Sequence, residues 1–280
     1  MITVALKVPI ISGSAGDKAH VDAIIEALKG FGIDFQCDIA SAHKQHERVV
    51  DLVDGLDGYN NGEDKCNSPV VTAAGRSDAL SASVAFMSYN PVVSSRPDWK
   101  SPEDLMDNLF STINTPSRVV SGAVLGPQQT AGYVHRLLGL REKRPADDTV
   151  PLICLRDEYS ADCKTALGKA NEYRLLKQVR RASLDEIGDT PLCILFGYGN
   201  DEQSIDRVLR STQRPLILCP PASDKRRRRE TMFESAQRGY FPEVAVVLDP
   251  ANAGLYAATI IGMYNRSYRD TSFMCRHPLL

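Results

Sequence analysis

The chain alternates short apolar runs with amphipathic stretches, beginning with the apolar run of residues 8–11 (VPII). Small and polar residues follow at 13–17, and apolar residues then recur at helical spacing at Val21, Ile24 and Leu28. Short, continuously apolar strands that alternate with helices are typical of a parallel sheet covered on both faces. We therefore predict an α/β fold with helices on both sides of a parallel sheet.

Small or polar residues follow three of the predicted strands at the point where each strand ends. They are residues 13–17 (GSAGD), 41–44 (SAHK) and 74–77 (AGRS). In a parallel sheet the carboxyl ends of the strands lie at one edge, and ligands of such folds bind beyond that edge. We expect the three segments to converge on one site.

The composition of residues 13–17 is favourable for binding an anion. Gly13 and Gly16 relieve steric limits on a strand-to-helix loop, so its amides and the positive end of the following helix can face a phosphate. Ser14 adds a hydroxyl donor, and the Asp17 carboxylate can accept hydrogen bonds from sugar hydroxyls. The same composition is common in turns and helix N-caps, so an ordinary turn is the alternative.

The other two segments carry groups for proton transfer and anion binding. His43 at a strand end can exchange a proton near neutral pH, and Lys44 and Arg76 are cations suited to a phosphate or carboxylate. The alternatives are a loop histidine without a chemical role and two solvated surface cations. His46 has no companion ligands, so we expect no metal site there.

The end of the first half of the chain reappears in the second half. VLGPQQTAGYVHRLLGL at 124–140 is similar to VLDPANAGLYAATIIGM at 247–263, with matching prolines, tyrosines and glycines 123 positions apart. We interpret the chain as a tandem duplication.

The second copy is shorter than the first. Pro69 follows Pro9 by 60 positions, whereas Pro191 follows the matching Pro151 by only 40. We expect the missing piece to be the second strand together with its SAHK-type end. Residues 155–159 (LRDEY) stand where the first copy has GSAGD. The second copy is therefore predicted to keep the scaffold and to lose the polar site.

Composition narrows the possible partners. A net charge of −2 gives no electrostatic reason to expect nucleic acid, and we interpret the basic run at 225–229 as a solvated loop.

Seven cysteines without a C-x-x-C pair argue against a disulfide framework and a zinc ribbon. No apolar run reaches the roughly 18 residues of a membrane span, and the N-terminus does not have a signal-peptide pattern. We expect a cytoplasmic protein without a membrane partner.

Motifs in the first copy resemble the AIR carboxylase and N5-carboxyaminoimidazole ribonucleotide mutase family of purine biosynthesis, which acts on 5-aminoimidazole ribonucleotide (AIR). The matching stretches occur in the family's order across residues 8–140 and are GSAGD, SAHK, AGRSDAL, YNPVVSS, DW and TPS. SAHK together with AGRS is similar to the animal-type branch, which uses carbon dioxide directly. The resemblance therefore favours AIR carboxylase over the mutase.

This resemblance implies a flavodoxin-like fold in three αβα layers and reversible carboxylation of AIR at C4, without a metal or organic cofactor. His43 would be the catalytic base. Lys44 and Ser14 would hold the ribose phosphate, Asp17 the ribose hydroxyls, and Arg76 a carboxylate or phosphate. The full set of substrate-binding residues that the resemblance implies is Gly13, Ser14, Asp17, Ser41, Lys44, Gly75, Arg76 and Ser77.

The two copies are predicted to have different roles, one catalytic and one structural. We expect residues 1–146 to form an AIR carboxylase-like catalytic domain and residues 147–280 a degenerate, structural one. The family builds octamers with sites at subunit contacts, so we expect a homo-oligomer in which four tandem chains fill the same shell. Two other functions stay open, namely a non-catalytic binding or regulatory protein and a carboxylase of a different heteroaromatic ring.

Overall fold

The computed structural model describes residues 7–57, 68–74, 79–96, 118–143, 145, 148–156, 159–173, 175–176, 179–183, 190–197, 201–220 and 242–277. Residues 75–78, 97–117 and 225–229 lie outside the described ranges. The strands are β1 (Val8–Ser12), β2 (Phe35–Ile39), β3 (Val70–Ala73), β4 (Val92–Arg96), β5 (Gly122–Leu125), β6 (Val150–Cys154), β7 (Val179–Arg181), β8 (Cys193–Phe196), β9 (Leu216–Cys219) and β10 (Ala245–Val246). The helices are α1 (Lys18–Gly30), α2 (His46–Asp57), α3 (Ala79–Met87), α4 (Pro127–Glu142), α5 (Ser160–Ala170), α6 (Glu202–Ser211), α7 (Pro250–Gly262) and α8 (Arg266–Arg276).

Strands β1 to β5, with their helices, form the first half of the molecule. They pair in parallel in the order 2-1-3-4-5, which is the strand order of flavodoxin-like folds. β1, β3 and β5 are buried along their whole length, as continuous apolar runs predict. The predicted parallel α/β architecture is confirmed.

Strands β6 to β10 form the second half and repeat this order as 7-6-8-9-10. The expectation that this half lacks the second strand is wrong, because β7 pairs in parallel with β6 as β2 does with β1. β7 has three residues, two of them arginines. An edge strand tolerates charge, so it left no apolar run in the sequence. The second half is shorter than the first because of the connection after this strand. Residues 182–192 stand where the first half has the longer connection 40–69, which contains α2.

The halves join through an antiparallel pair between β5 and β10, so one sheet of ten strands runs through the molecule. Ala123 lies opposite Val246, and these residues are 123 positions apart, which is the offset of the sequence repeat. An antiparallel pair of equivalent residues implies a local twofold axis between the halves. The carboxyl ends of β1 to β4 and those of β6, β8 and β9 therefore point to opposite edges of the sheet.

The apolar side chains form one core across the whole sheet on one face and two separate cores on the other. The shared core contains side chains from α1, α4, α5 and α7. On the opposite face, α2 and α3 cover the first half while α6 covers the second. Within the described residues, no helix is both long and apolar enough to cross a bilayer.

Tyr133 and Tyr256, which the repeat predicts to be equivalent, are fully buried in the shared core. The Tyr256 hydroxyl in α7 donates to the carbonyl oxygen of Val92 in β4 (3.1 Å), which connects the second half to the first. Gly122 makes room for it, because a Cβ there would lie 2.6 Å from the Tyr256 hydroxyl oxygen. Burial raises the pKa of Tyr256, and burial together with the nearby Tyr256 raises the pKa of Tyr133. Both phenols are therefore neutral at physiological pH.

Arg136 in α4 is a second connection between the halves. Its Nε donates to the Glu243 carboxylate (3.1 Å), and its terminal nitrogens donate to the carbonyl oxygens of Thr212 (2.6 Å) and Leu209 (3.4 Å). The side chain is 10% exposed. A nearly buried guanidinium that serves several acceptors is costly to remove, because each acceptor loses its donor at once.

The last helix, α8, contacts the first half through its C-terminal end. Arg276 is buried and donates to the Ala85 carbonyl oxygen near the end of α3, where a cation also interacts favourably with the helix dipole. The Phe273 ring stacks on Tyr89 with the ring centroids 3.9 Å apart. The second half therefore supports α3, which is the helix that follows the AGRS motif.

The described residues contain one disulfide, which the spacing of the cysteines does not indicate. Cys154 at the end of β6 and Cys163 in α5 form a disulfide, with Cα atoms 6.5 Å apart. The sequence offers no signal for this pair because only the strand-loop-helix turn brings the two residues together. The free cysteines among the described residues are Cys37, Cys193, Cys219 and Cys275.

We expect Arg136→Met to lower the free energy of unfolding by about 2–4 kcal/mol, because it leaves part-buried carbonyl oxygens and the Glu243 carboxylate without their donor. Urea unfolding followed by circular dichroism measures the change. Arg210→Met on the exposed face of α6 is the matched control and should cost less than about 0.5 kcal/mol. Equal losses in the two variants would contradict the proposed role of Arg136.

Candidate functional site

The carboxyl edge of the first half brings the predicted loops together. β1 pairs with β2 on one side and with β3 on the other. The amide of Ala40 donates to the Ser12 carbonyl oxygen (2.9 Å), and the amide of Gly13 donates to the Ala73 carbonyl oxygen (2.8 Å). The chains that leave β1, β2 and β3 therefore start side by side, at the point where the strand order reverses and such folds bind ligands.

The loop after β1 is held by its own polar side chains. Ser12 Oγ donates to the Ser14 carbonyl oxygen (2.9 Å), and Ser14 Oγ donates to Asp17 Oδ2 (2.9 Å). A single 3-10 turn, Ala15–Asp17, then leads directly into α1. In this loop neither the Ser14 nor the Asp17 side chain caps the helix amides. The Asp17 amide donates to the Ser14 carbonyl oxygen (3.2 Å) and the Lys18 amide to that of Ala15. An anion here would therefore meet the positive end of the helix without a competing cap from Ser14 or Asp17.

Gly13 lies where the next loop approaches closely. A Cβ at this position would lie 3.3 Å from the Cβ of Ala74 and 3.7 Å from Asp17 Oδ2. A larger side chain would therefore push apart the loops that follow β1 and β3. This tight contact keeps the Ser14 and Asp17 loop adjacent to the start of the AGRS motif.

The loop after β2 presents His43 and Lys44 to solvent. The Ser41 carbonyl oxygen accepts hydrogen bonds from the amides of Lys44 (3.2 Å) and Gln45 (2.8 Å). This turn lies immediately before α2, and the His43 and Lys44 side chains within it are exposed. An exposed imidazole and an exposed ammonium beside the first loop can reach a ligand bound at this edge.

Three of the predicted substrate-binding residues, Gly75, Arg76 and Ser77, lie outside the described residues. β3 ends at Ala73 and α3 begins at Ala79, so the motif connects two described elements at this edge. Its contribution to the site stays a prediction. Among the described residues, no group of three His, Cys, Asp or Glu side chains is arranged to hold a metal ion.

Sequence analysis missed a set of buried hydroxyls directly beneath this edge. Thr72 Oγ1 in β3 lies 2.7 Å from Ser81 Oγ in α3, and Ser81 Oγ lies 3.0 Å from Ser94 Oγ in β4. On the other face, Ser95 Oγ contacts Thr130 Oγ1 in α4 at 2.7 Å. The only sequence signal was the pair of serines in YNPVVSS, whose partners are distant in sequence.

The first half also carries the sequence match to known proteins. Residues 7–149, just over half of the chain, match the family described as AIR carboxylase. The chain belongs to the AIR carboxylase family. The resemblance predicted from the motifs is confirmed.

Proteins named as carboxylases and as mutases both match this AIR carboxylase family member. A phosphoribosylaminoimidazole carboxylase from Treponema denticola is 31% identical over 140 residues, 49% of this chain and 82% of that protein. An N5-carboxyaminoimidazole ribonucleotide mutase from Saccharolobus solfataricus is 29% identical over 143 residues, 50% of this chain and 86% of that protein. A crystal structure of Treponema denticola PurE has 29% sequence identity and a TM-score of 0.39, and covers 60% of this chain and 92% of that one.

In the second half of this family member, side chains fill the corner of the fold that corresponds to the Ser14 and Asp17 loop of the first half. Arg156, in the loop after β6, forms an ion pair with the fully buried carboxylate of Asp201. The Tyr159 hydroxyl donates to the same carboxylate (3.4 Å). Leu155 packs over Gly197, at the end of β8. Apolar and paired charged groups therefore occupy the place where the first half has an open polar loop.

We expect Asp201→Asn to lower the free energy of unfolding by about 1–3 kcal/mol, because the Arg156 guanidinium loses its anionic partner at a buried position. Thermal and urea unfolding measure this change. Asp22→Asn breaks an exposed ion pair with Lys18 and should cost no more than about 1 kcal/mol. If Asp201→Asn were as stable as Asp22→Asn, the buried pair would not hold this corner together.

Proposed function

We propose that the chain is an AIR carboxylase whose active site is the carboxyl edge of the first half. The observation that supports this most is the meeting of the loops that carry Ser14, Asp17, His43 and Lys44 at the reversal point of the sheet. The family membership supplies the substrate class. The reaction is the reversible carboxylation of AIR at C4 by carbon dioxide.

In this proposal the ribose phosphate binds at the start of α1. The positive end of the helix, which neither the Ser14 nor the Asp17 side chain caps, faces the phosphate. Lys44 adds a charge-assisted contact from the neighbouring loop. The Ser14 hydroxyl, which donates to the Asp17 carboxylate, can turn its proton to the phosphate, while the Asp17 carboxylate accepts from the ribose hydroxyls.

His43 serves as the base at C4. The enamine carbon C4 of AIR attacks the carbon of carbon dioxide, a carbon–carbon bond forms, and an electron pair moves onto a carboxylate oxygen. The neutral imidazole of His43 then takes the C4 proton, which restores the aromatic ring, and returns it in the reverse direction. Ser41 shapes the turn that presents His43, since its carbonyl oxygen accepts two amides. Arg76 orients the new carboxylate or the phosphate, and Gly75 and Ser77 complete the proposed set of substrate-binding residues.

Carboxylase chemistry is favoured over mutase chemistry by the resemblance of SAHK together with AGRS to the animal-type branch, which uses carbon dioxide directly. The decisive assay follows ultraviolet absorbance with AIR and bicarbonate in one sample and N5-carboxyaminoimidazole ribonucleotide in another. The carboxylase proposal expects turnover of AIR at a rate that rises with carbon dioxide. Turnover of only the second substrate would make the chain a mutase, and turnover of neither would favour a non-catalytic protein.

We propose that residues 1–146 form the catalytic domain and that residues 147–280 form a structural domain derived by tandem duplication. The common strand order and the filled corner at Asp201 support this division. We further propose a homo-oligomer of four chains, in which the second halves take alternate positions of an octameric shell. Light scattering at micromolar concentration tests this, and a monomeric mass would contradict it.

Replacing the base should separate chemistry from binding. His43→Asn keeps a similar size and one hydrogen-bonding edge but cannot exchange the C4 proton, so kcat should fall by ~10²-fold or more while AIR binding changes little. Steady-state kinetics and calorimetric titration measure the two effects. A His43→Asn protein that carboxylates AIR at the normal rate would contradict the mechanism.

Removing Lys44, the cation proposed to bind the phosphate, should mainly weaken AIR binding rather than slow the chemical step. We expect Lys44→Ala to weaken AIR binding by about 1.5–3 kcal/mol, because one charge-assisted contact is lost, with a smaller effect on kcat. Lys29→Ala, at an exposed site on the far end of α1, is the control and should bind AIR normally. Unchanged binding in Lys44→Ala would place the phosphate elsewhere.

A further inference from the structure

A line of hydrogen bonds beneath the carboxyl edge connects α1, β4 and α4 of the first half. His20 Nε2 lies 3.0 Å from Ser95 Oγ, and Ser95 Oγ lies 2.7 Å from Thr130 Oγ1. Thr130 Oγ1 in turn donates to the Gly126 carbonyl oxygen at 2.8 Å. Ser95 and Thr130 are fully buried, whereas His20 is half-buried. We call this line the His20 chain.

The end of the His20 chain fixes the direction of every bond in it. A carbonyl oxygen can only accept, so the single hydroxyl proton of Thr130 is used on Gly126. Ser95 must then donate to Thr130, which leaves the Ser95 oxygen to accept from His20 Nε2. The ring of His20 therefore carries its proton on Nε2 in the neutral form.

The His20 chain holds structure together rather than moving protons. At Gly126 the line ends at a backbone carbonyl oxygen, which takes up no proton, so a proton cannot leave the line at that end. His20 lies in the first turn of α1, three positions after Asp17. Its bond to Ser95 ties that turn, and the Ser14 and Asp17 loop before it, to the end of β4 and the start of α4.

The second half of the molecule folds without this chain. Strand register aligns Ser95 with Cys219, because Ala73 pairs with Ser95 as Phe196 pairs with Cys219. The repeat offset of 123 aligns Thr130 with Ala253. Both hydroxyls are thus absent from the half that also lacks the polar loop. The fold itself does not require them, which indicates a role in the site.

We propose that His20 is a positioning residue for nucleotide binding, which acts through Ser95 and Thr130 to fix the loop of Ser14 and Asp17. This inference rests on the proposed function, in which that loop binds the ribose phosphate and sugar. A loop held in place before the ligand arrives binds with less loss of conformational entropy. Release of the loop should therefore weaken substrate binding and leave the proton-transfer step at His43 largely intact.

The first test is the protonation of the His20 ring. Long-range proton–nitrogen NMR of the full chain should find the neutral ring protonated on Nε2. In Thr130→Val the Ser95 proton is no longer committed to Thr130, so the hydrogen bond from His20 Nε2 to Ser95 should weaken and the Nε2 resonance should shift. A wild-type ring protonated on Nδ1 would overturn the proposal without any assay of activity.

The second test separates binding from chemistry. We expect His20→Asn, Ser95→Ala and Thr130→Val each to raise the KM for AIR about tenfold or more, with kcat changed less than about threefold. Thr130→Ser retains the hydroxyl and should restore a near-normal KM. His135→Asn replaces an exposed histidine of α4 that stacks on Phe31 and serves as the matched control, with unchanged kinetics.

The outcomes distinguish this inference from the proposed function. Wild-type protein that neither binds nor carboxylates AIR would overturn the function, and with it the role given to His20. Wild-type protein that binds AIR, together with a His20→Asn variant that binds it equally well by calorimetry, would overturn only the present inference. A fall in kcat at unchanged KM would also overturn it, because His20 would then act in the chemical step.

Discussion

The parallel pairing of β1 with β2 on one side and β3 on the other is the constraint on which the candidate site depends. It forces the chains that leave three strands to start from one edge, and the Ala40 and Gly13 amides complete the contact between them. The small residues at Gly13 and Ala74 allow the loops to approach closely. Residues distant in sequence, such as Ser14 and His43, which are 29 positions apart, are thereby placed at one edge without any direct bond between them.

The second half extends the same sheet and stabilises the first half without copying its polar edge. The β5 and β10 pair, the Tyr256 hydroxyl and Arg136 all connect the halves. Where the first half has the hydroxyls of Thr72 and Ser94, strand register places Leu195 and Leu218 in the second. Buried hydroxyls contribute less to stability than apolar packing, so their retention in one half only is consistent with a site there.

Much of this architecture could be predicted from the sequence, because buried parallel strands leave continuous apolar runs and their polar ends are visible. The short edge strand β7 was missed, since Arg180 and Arg181 hide it from any apolar pattern. The Cys154 pair and the His20 chain were missed for another reason. Their members are ordinary small or polar residues whose meaning appears only when the fold brings them together.

The most direct test of the central claim is a crystal structure of the full chain with AIR bound. The account predicts the phosphate at the start of α1 near Ser14 and Lys44, the ribose hydroxyls at Asp17, and C4 within reach of the His43 ring. The corner around Arg156 and Asp201 should stay closed and empty of ligand. A nucleotide bound in the second half, or bound in the first half with C4 directed away from His43, would contradict the account.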